Sequence, residues 1–136
     1  MPRPRVALVG VGAIGGTVAA VLDHASQCDL TLVARGATLA ALRADGLTVR
    51  QPYAGPDAAY RCHPRVVAVD ATAEAGVQDF VLCCVKAHHL PPLLEQLLPL
   101  FGPNTTLVPV INGVPYWYWY GLQGVEDRPV EVTHPP

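Results

Sequence analysis

Apolar runs typical of strands and of a helix alternate along the first part of the chain. Residues 6–9 (VALV) are apolar without alternation, as in a parallel strand covered on both faces. Residues 14–25 have helical spacing of apolar side chains, and residues 29–34 (DLTLVA) form a second predicted strand. The side chains predicted to face inward from this helix are Val18, Val21 and Leu22. Strand, helix and strand together predict a right-handed parallel unit.

The pattern continues with further helices and strands. Residues 37–45 predict a helix whose Leu39 and Leu42 face inward and which ends at Gly46. Further strands are predicted at residues 47–51, 61–69, 79–85 and 105–111, and a helix at residues 90–100. The first two of these strands would pair antiparallel, and Pro109 in the last requires a sheet edge or a bulge. The order predicts an α/β fold, a Rossmann-type doubly wound, mostly parallel sheet with a small antiparallel excursion.

The turn between the first strand and the first helix has the spacing G-x-G-x-x-G. Gly10 suits a tight turn, Gly12 lets the backbone approach a pyrophosphate, and Gly15 lets helix and strand pack closely. The free N–H groups and the dipole at the helix start favour phosphates. An ordinary glycine-rich turn is the alternative, but the strand before the motif and the helix after it indicate a dinucleotide site.

Arg35 directly follows the second predicted strand. At this place in a dinucleotide-binding unit an acidic residue binds the ribose 2′-hydroxyl of NAD, whereas an arginine can pair with the 2′-phosphate of NADP. The guanidinium suits a phosphate because its fork of donors matches the oxygens. The alternative is a surface arginine that ends a strand. The position relative to the glycines favours NADP as the cofactor.

Two further polar residues, Lys86 and Asn112, directly follow predicted strands. Ligands bind at the carboxyl ends of parallel strands, so Lys86 is expected near a cofactor. The amide of Asn112 both donates and accepts hydrogen bonds and could bridge a cofactor to a substrate. The alternatives are a lysine that returns the chain to water and an Asn-Gly turn without a ligand.

Composition narrows the class of function. A chain of 136 residues, 51% of them hydrophobic, allows one domain with a proper core but no second domain. The net charge of −2, without a long basic run, gives no support for a nucleic-acid or membrane-surface partner. The uncharged stretch at residues 6–22 contains four glycines and is explained by strand, turn and helix. We therefore expect a soluble protein with a small-molecule partner.

The cysteines lack the C-x-x-C spacing of metal sites. Cys83 and Cys84 are adjacent in a predicted strand and therefore point to opposite faces. Buried free thiols in a reducing cytoplasm are expected, rather than a disulfide framework or a metal site. His88 and His89 are expected to be exposed, because adjacent helical residues point in different directions and do not form a metal pair.

The last part of the chain has a different composition. Residues 116–120 (YWYWY) are five successive large rings, which cannot all face one core. They predict a surface for another domain or for a subunit partner, as in a homo-oligomer. After residue 124 the chain becomes charged and proline-rich. We therefore expect a dinucleotide-binding domain at residues 1–124 and a tail at residues 125–136.

Four segments, in order, resemble the ketopantoate reductase (2-dehydropantoate 2-reductase) family. They are GVGAIGG at residues 10–16, LVARG at 32–36, VKAHHL at 85–90 and INGVPYW at 111–117. The likeness covers nearly the whole chain, and its last two segments are more specific than the glycine motif. The resemblance implies NADPH-dependent reduction of a small 2-oxo acid, 2-dehydropantoate to pantoate, in pantothenate and coenzyme A biosynthesis.

The resemblance also implies roles for single residues. Arg35 would bind the 2′-phosphate, and Lys86 and Asn112 would lie by the nicotinamide as supporting catalytic residues, with Asn112 also near the substrate. The predicted cofactor-binding residues are Gly10, Val11, Gly12, Ala13, Ile14, Gly15, Arg35, Lys86 and Asn112.

In the family a second, mostly helical domain supplies a lysine proton donor and an acidic substrate-binding residue, and no segment here corresponds to it. Hydride transfer requires the carbonyl to be held and its developing charge to be protonated or stabilised. The resemblance therefore implies that this chain is the cofactor-binding half and is inactive alone. Two alternatives stay open: a non-catalytic dinucleotide-binding module, and a relative that acts on another 2-oxo acid.

Overall fold

The computed structural model describes residues 2–50 and 59–113, which contain two sheets. The strands are β1 (Arg5–Val9), β2 (Asp29–Ala34), β3 (Leu47–Arg50), β4 (Ala59–Cys62), β5 (Arg65–Ala68), β6 (Phe80–Cys83) and β7 (Thr106–Pro109). Five of them form a parallel sheet in the order β5-β2-β1-β6-β7, and β3 pairs antiparallel with β4 in a separate sheet. The predicted α/β fold, a Rossmann-type doubly wound parallel sheet with an antiparallel excursion, is confirmed.

The central strand β1 pairs in parallel with both β2 and β6. Val9 lies opposite Val33 of β2 and Cys83 of β6, so these three strands end side by side. Val6 and Leu8 pack in the core on one face of the sheet, and the residues that alternate with them pack in the core on the other. Burial on both faces explains why the strand is apolar without alternation.

Helix α1 (Ala13–Ala25) covers the face of the sheet to which Leu8 points. Its buried residues are Gly15, Gly16, Ala19 and Ala20. The prediction that Val21 faces inward is wrong, because its side chain is 62% exposed, while Val18 and Leu22 are half-buried at the margin. Small residues let the helix backbone approach the sheet more closely than a valine stripe would, so the small stripe faces the core.

Helix α2 (Gly36–Asp45) covers the same face, with Leu42 buried and Leu39 half-buried against the core, as predicted. It ends at Gly46, whose N–H donates to the carbonyl of Leu42 at 3.1 Å. The φ of Gly46 is 72°, in the region that favours glycine.

Irregular backbone covers the opposite face. After β5 a 3-10 segment runs over Val69–Glu74, and after β6 the short α3 (Leu94–Leu97) lies between the 3-10 segments Pro91–Leu93 and Leu98–Leu100. One continuous helix over residues 90–100 was therefore a wrong prediction: the three prolines of this segment lack the N–H that an α-helix requires. The segment nevertheless buries four leucines, Leu90, Leu93, Leu97 and Leu100.

The return strand predicted at residues 61–69 is two strands. The first, β4, pairs with β3, and the second, β5, joins the parallel sheet beside β2. The chain leaves the ladder at His63 and Pro64, and this break moves it from one sheet to the other. Pro109 ends β7 at the edge of the parallel sheet, as its missing N–H requires.

The predicted aromatic segment at residues 116–120 and the tail at residues 125–136 lie outside the described residues, and the predicted domain boundaries stay predictions. Over residues 2–50 and 59–113, no helix is long and apolar enough to cross a membrane.

Candidate functional site

A cleft opens at the carboxyl end of the parallel sheet. From β1 the chain proceeds to β2 and β5 on one side, and β6 and β7 lie on the other, so the winding reverses between β1 and β6. In open α/β sheets ligands bind in the crevice at this switch point. The cleft has a volume of about 380 Å³, within the range of small-molecule sites.

Gly10 forms the tight turn after β1, at the floor of the cleft. Its φ is +91°, and an added Cβ would lie 2.6 Å from Cγ1 of Val85 and 2.9 Å from the carbonyl oxygen of Cys84. Its N–H donates to the carbonyl of Val33 at 3.2 Å. The fold therefore requires glycine here, since no other residue fits this φ and this space.

Gly15, in the first turns of α1, acts in packing and does not line the cleft. An added Cβ would lie 2.0 Å from the carbonyl oxygen of Gly10 and 3.1 Å from Cβ of Cys84. The helix could not pass so close to the turn with a larger residue at this position.

Gly12 differs from both, because nothing in the described structure lies within 4 Å of the Cβ that a substitution would add. Its φ of −89° and ψ of −158° are accessible to other residues. The fold alone therefore does not require glycine here. Gly12 lines the cleft, and the free space in front of its backbone is where a group such as a pyrophosphate could approach.

The cleft carries positive charge. Arg35, between β2 and α2, and Lys86, after β6, are exposed and line it. Thr38, one turn into α2, also lines the cleft. None of the described residues that line the cleft is acidic. Two permanent positive charges without a facing carboxylate favour an anionic ligand.

His89 also lines the cleft and is half-buried. The prediction that it is exposed like His88 is therefore wrong. The 3-10 segment Ala87–His89 follows Lys86, and the N–H of His89 donates to the carbonyl of Lys86 at 2.8 Å. In a 3-10 turn residues i and i+3 lie on the same side, so Lys86 and His89 both reach the cleft.

Partial burial lowers the pKa of His89, and the positive charges of His88, Arg35 and Lys86 lower it further. The imidazole is therefore neutral at pH 7 in the free chain.

The i+3 spacing between Lys86 and His89 was a signal in the sequence that both side chains lie on the same side of a 3-10 turn. The two prolines that follow made an α-helical start at residue 90 the simpler interpretation.

The predicted site residues are only partly brought together. Those that line the cleft are Gly10, Val11, Gly12, Arg35 and Lys86. Ala13, Ile14 and Gly15, in the first turn of α1, do not line it, and the side chain of Ile14 is 63% exposed. Asn112 is exposed after β7, which is separated from β1 by β6, and it lies outside this cleft.

The cysteines are not poised for chemistry in this structure. Cys83 and Cys84 pack in the cores on opposite faces of the sheet, as predicted, and all four cysteines are free. Burial raises the pKa of Cys83 to about 11, and the nearby Cys84 contributes to the shift. A thiol with such a pKa is a poor nucleophile at neutral pH. Within the described ranges, no group of three or more His, Cys, Asp or Glu residues could hold a metal ion.

Fold and cleft together define a Rossmann-type domain with a ligand crevice at the switch point of its sheet. The family model of ketopantoate reductase PanE/ApbA matches residues 6–116, and the chain belongs to this family.

Individual relatives agree with this assignment. A 2-dehydropantoate 2-reductase of Mesorhizobium japonicum is 42% identical over 129 residues, which are 95% of this chain and 36% of that protein. The solved structure of a ketopantoate reductase-like protein of Ralstonia solanacearum MolK2 has a TM-score of 0.77 at 36% identity, covering 86% of this chain and 34% of the other. The chain thus spans about a third of the length of these relatives.

A more distant likeness shows the shared fold. The ternary structure of D-mandelate dehydrogenase with NADH and anilino(oxo)acetate has a TM-score of 0.67 at 18% identity, and it covers 81% of this chain and 34% of that protein.

Proposed function

We propose that this chain is the cofactor-binding part of an NADPH-dependent reductase that converts 2-dehydropantoate, a 2-oxo acid, to pantoate. The observation that carries the proposal is the free space in front of Gly12, in a cleft with Arg35 and Lys86 on its walls. A Cβ at Gly12 would point into space that the described residues leave free, while Gly10 is required by the fold. Family membership supports the reductase activity.

The residues present fit a dinucleotide. The backbone of Gly10, Val11 and Gly12, with the N–H groups at the start of α1 in Ala13 and Ile14, would hold the pyrophosphate. Gly15 supports this turn by letting α1 pack against it.

Arg35 would pair with the 2′-phosphate and so select NADPH over NADH. Lys86 would add a second positive charge, and Asn112 would act at the nicotinamide and the substrate. The role of Asn112 rests on the resemblance, because its side chain lies outside the cleft that these residues line.

Bound NADPH would supply a hydride to the carbonyl carbon of the substrate. The chain would orient the cofactor, while the principal proton donor for the developing alkoxide would come from a part of the protein other than this chain. The chain spans 36% of its Mesorhizobium relative, which leaves room for that part. We therefore expect negligible reduction of 2-dehydropantoate by the 136-residue chain alone.

Cofactor titration tests the assignment directly. NADPH should bind more tightly than NADH by roughly 10- to 100-fold, about the value of one charge-assisted hydrogen bond. Arg35→Ala should remove most of this preference, while Arg43→Ala, at the other end of α2, should keep it. Gly12→Ala should bind neither cofactor tightly and yet unfold like the wild type. Equal affinities of the wild-type chain for the two cofactors would refute the NADP assignment.

Turnover separates the two remaining functions. Because the substrate-binding residues are expected outside this chain, a 2-oxo acid that tightens NADPH binding or is reduced would exclude a non-catalytic dinucleotide-binding module. Preference for a different 2-oxo acid would indicate a relative with another substrate. Robust turnover by the chain alone would show that a residue such as Lys86 serves as the proton donor.

The remaining proposals concern the cellular compartment and the oligomeric state. Four free cysteines fit a reducing compartment, and we place the protein in the cytoplasm. Association of copies through residues 116–120 stays a prediction from sequence, which light scattering of the wild-type chain would test.

A further inference from the structure

Three basic side chains from two parts of the sequence line the cleft. Arg35 arrives from the end of β2, and Lys86 and His89 arrive from the 3-10 turn after β6. All three side chains line one cleft of about 380 Å³, so they surround the same space. A phosphate group held by Arg35 would therefore lie near His89.

We propose that His89 is a specificity residue for the 2′-phosphate, which it recognises in its protonated form, so that the chain takes up a proton when it binds NADP(H). The inference rests on the proposed function, because it requires that Arg35 binds this phosphate. It adds that the preference for NADP(H) over NAD(H) increases as the pH falls.

Basic groups surround the imidazole of His89. The groups that face His89 are the adjacent His88, Lys86 one 3-10 turn earlier and Arg35 from the neighbouring strand end. All are basic, and none of the described lining residues is acidic. In the free chain His89 is therefore neutral at pH 7, since its pKa is lowered from the ordinary value.

A bound phosphate dianion reverses this balance. An opposite charge within about 4–6 Å raises the pKa of a cationic acid by roughly 1–3 units. The bound state then holds more protons than the free state between the two pKa values of His89. By linkage, affinity for the phosphate-bearing cofactor rises as the pH falls through the bound pKa, and it levels off below the free pKa.

The 2′-phosphate has a titration of its own, near pH 6 for a phosphomonoester, and it acts in the opposite direction. Protonation of the phosphate at low pH removes negative charge and weakens its pairing with Arg35. The contribution of His89 is therefore the difference between the wild-type chain and a His89 variant, measured with the same ligand at the same pH.

Isothermal titration calorimetry of the chain with NADP⁺ and NAD⁺ at pH 8 and pH 6 measures both affinity and proton uptake, when buffers of different ionisation enthalpy are compared. The oxidised cofactors are used because they tolerate acid. His89→Gln removes the titrating group, and His88→Gln is the matched control, because His88 is its exposed neighbour and does not line the cleft. Circular dichroism checks that each variant is folded.

We expect the ratio of NADP⁺ to NAD⁺ affinity to rise between pH 8 and pH 6 by about tenfold more in the wild type than in His89→Gln, since one pKa unit corresponds to a factor of ten. His88→Gln should keep the proton uptake and most of this pH dependence, because His88 acts on His89 only through its charge. The wild type should take up a fraction of a proton with NADP⁺ that His89→Gln does not take up. His89→Lys, with a permanent charge, should show high preference at both pH values.

Three results would overturn the inference. Equal pH dependence in the wild type and His89→Gln would exclude His89 as the linked group, while leaving the NADP preference of the proposed function intact. If His88→Gln abolished proton uptake while His89→Gln kept it, His88 would be the group that takes up the proton, and the role proposed for His89 would be refuted. Binding without any preference for NADP⁺, in every variant, would refute the NADP assignment itself together with this inference.

Discussion

The two faces of the parallel sheet are covered in different ways. One face carries the regular helices α1 and α2, and α1 packs against the sheet with two glycines and two alanines. The other carries 3-10 segments and the short α3, which bury leucines. Small residues let a helix lie close to the sheet, whereas prolines prevent regular helix but leave large side chains free to fill the core.

The cleft draws on both faces, and each contributes something different. The turn into α1 contributes backbone, in Gly10 and Gly12, whose geometry depends on the close approach of that helix. The irregular segment contributes side chains, among them His89 and Leu93. The comparison indicates that the regular face determines where a phosphate can lie, and the irregular face determines which further groups surround it.

The largest effect is expected on the irregular face. Leu97 is fully buried in α3, so Leu97→Ala should reduce the free energy of unfolding by about 3 kcal/mol, within the 2–5 kcal/mol typical of such truncations. Leu94→Ala, in the same turn but 38% exposed, should cost roughly 1 kcal/mol or less. Urea denaturation of both variants measures the difference. Equal costs would mean that this segment is not part of the core.

A smaller loss is expected at the close approach on the regular face. The methyl group of Gly15→Ala would lie 2.0 Å from the carbonyl oxygen of Gly10, so α1 or the turn must move. Overpacking of this kind costs about 1–3 kcal/mol. Gly12→Ala is the control, because its methyl group enters free space, and we expect a change of about 0.5 kcal/mol or less. Thermal unfolding measures the stabilities of the two variants. Equal stabilities would contradict the close approach of Gly15 to the carbonyl of Gly10.

The smallest effect concerns the link between the small sheet and the regular face. Tyr60 of β4 donates a hydrogen bond to Oδ2 of Asp23 in α1 at 2.7 Å. This bond, with partial burial and the charge of Asp23, raises the pKa of Tyr60 to about 12. Because the folded pKa lies above the ordinary value of 10, the stabilisation is complete below about pH 10 and is lost as the pH rises toward 12.

Tyrosine NMR measures the titration of Tyr60 directly. The Cζ shift of Tyr60 should stay that of a protonated phenol between pH 9 and 11, and Asp23→Asn should return its titration toward pH 10. The stability difference between the wild type and Tyr60→Phe should shrink as the pH rises from about 10 to about 12. A Tyr60 that titrates near pH 10 in the wild type would show that the bond to Asp23 is not formed in solution.

Much of the architecture could be predicted from local pattern. The unbroken apolar run of β1, the glycine spacing after it and the positions of β2 and β6 depend on neighbours in sequence and on the requirement that a doubly covered strand be apolar. The places of Arg35 and Lys86 followed from the same logic, because Arg35 comes directly after β2 and Lys86 three residues after β6. The exposure of Val21 could not be predicted in this way, because helical periodicity does not show whether the small or the large side chains of α1 face the sheet.

By itself, then, the sequence determined the α/β class, the order of the elements from β1 to β3, the glycine turn and the basic residues near the strand ends, because these depend on short-range pattern and backbone stereochemistry. Only the tertiary structure decided that Gly12 faces free space while Gly10 and Gly15 are enclosed, that His89 turns into the cleft and that Asn112 stays outside it. These facts depend on which strands become neighbours and on how closely distant segments approach. Such distances are set by packing of the whole domain.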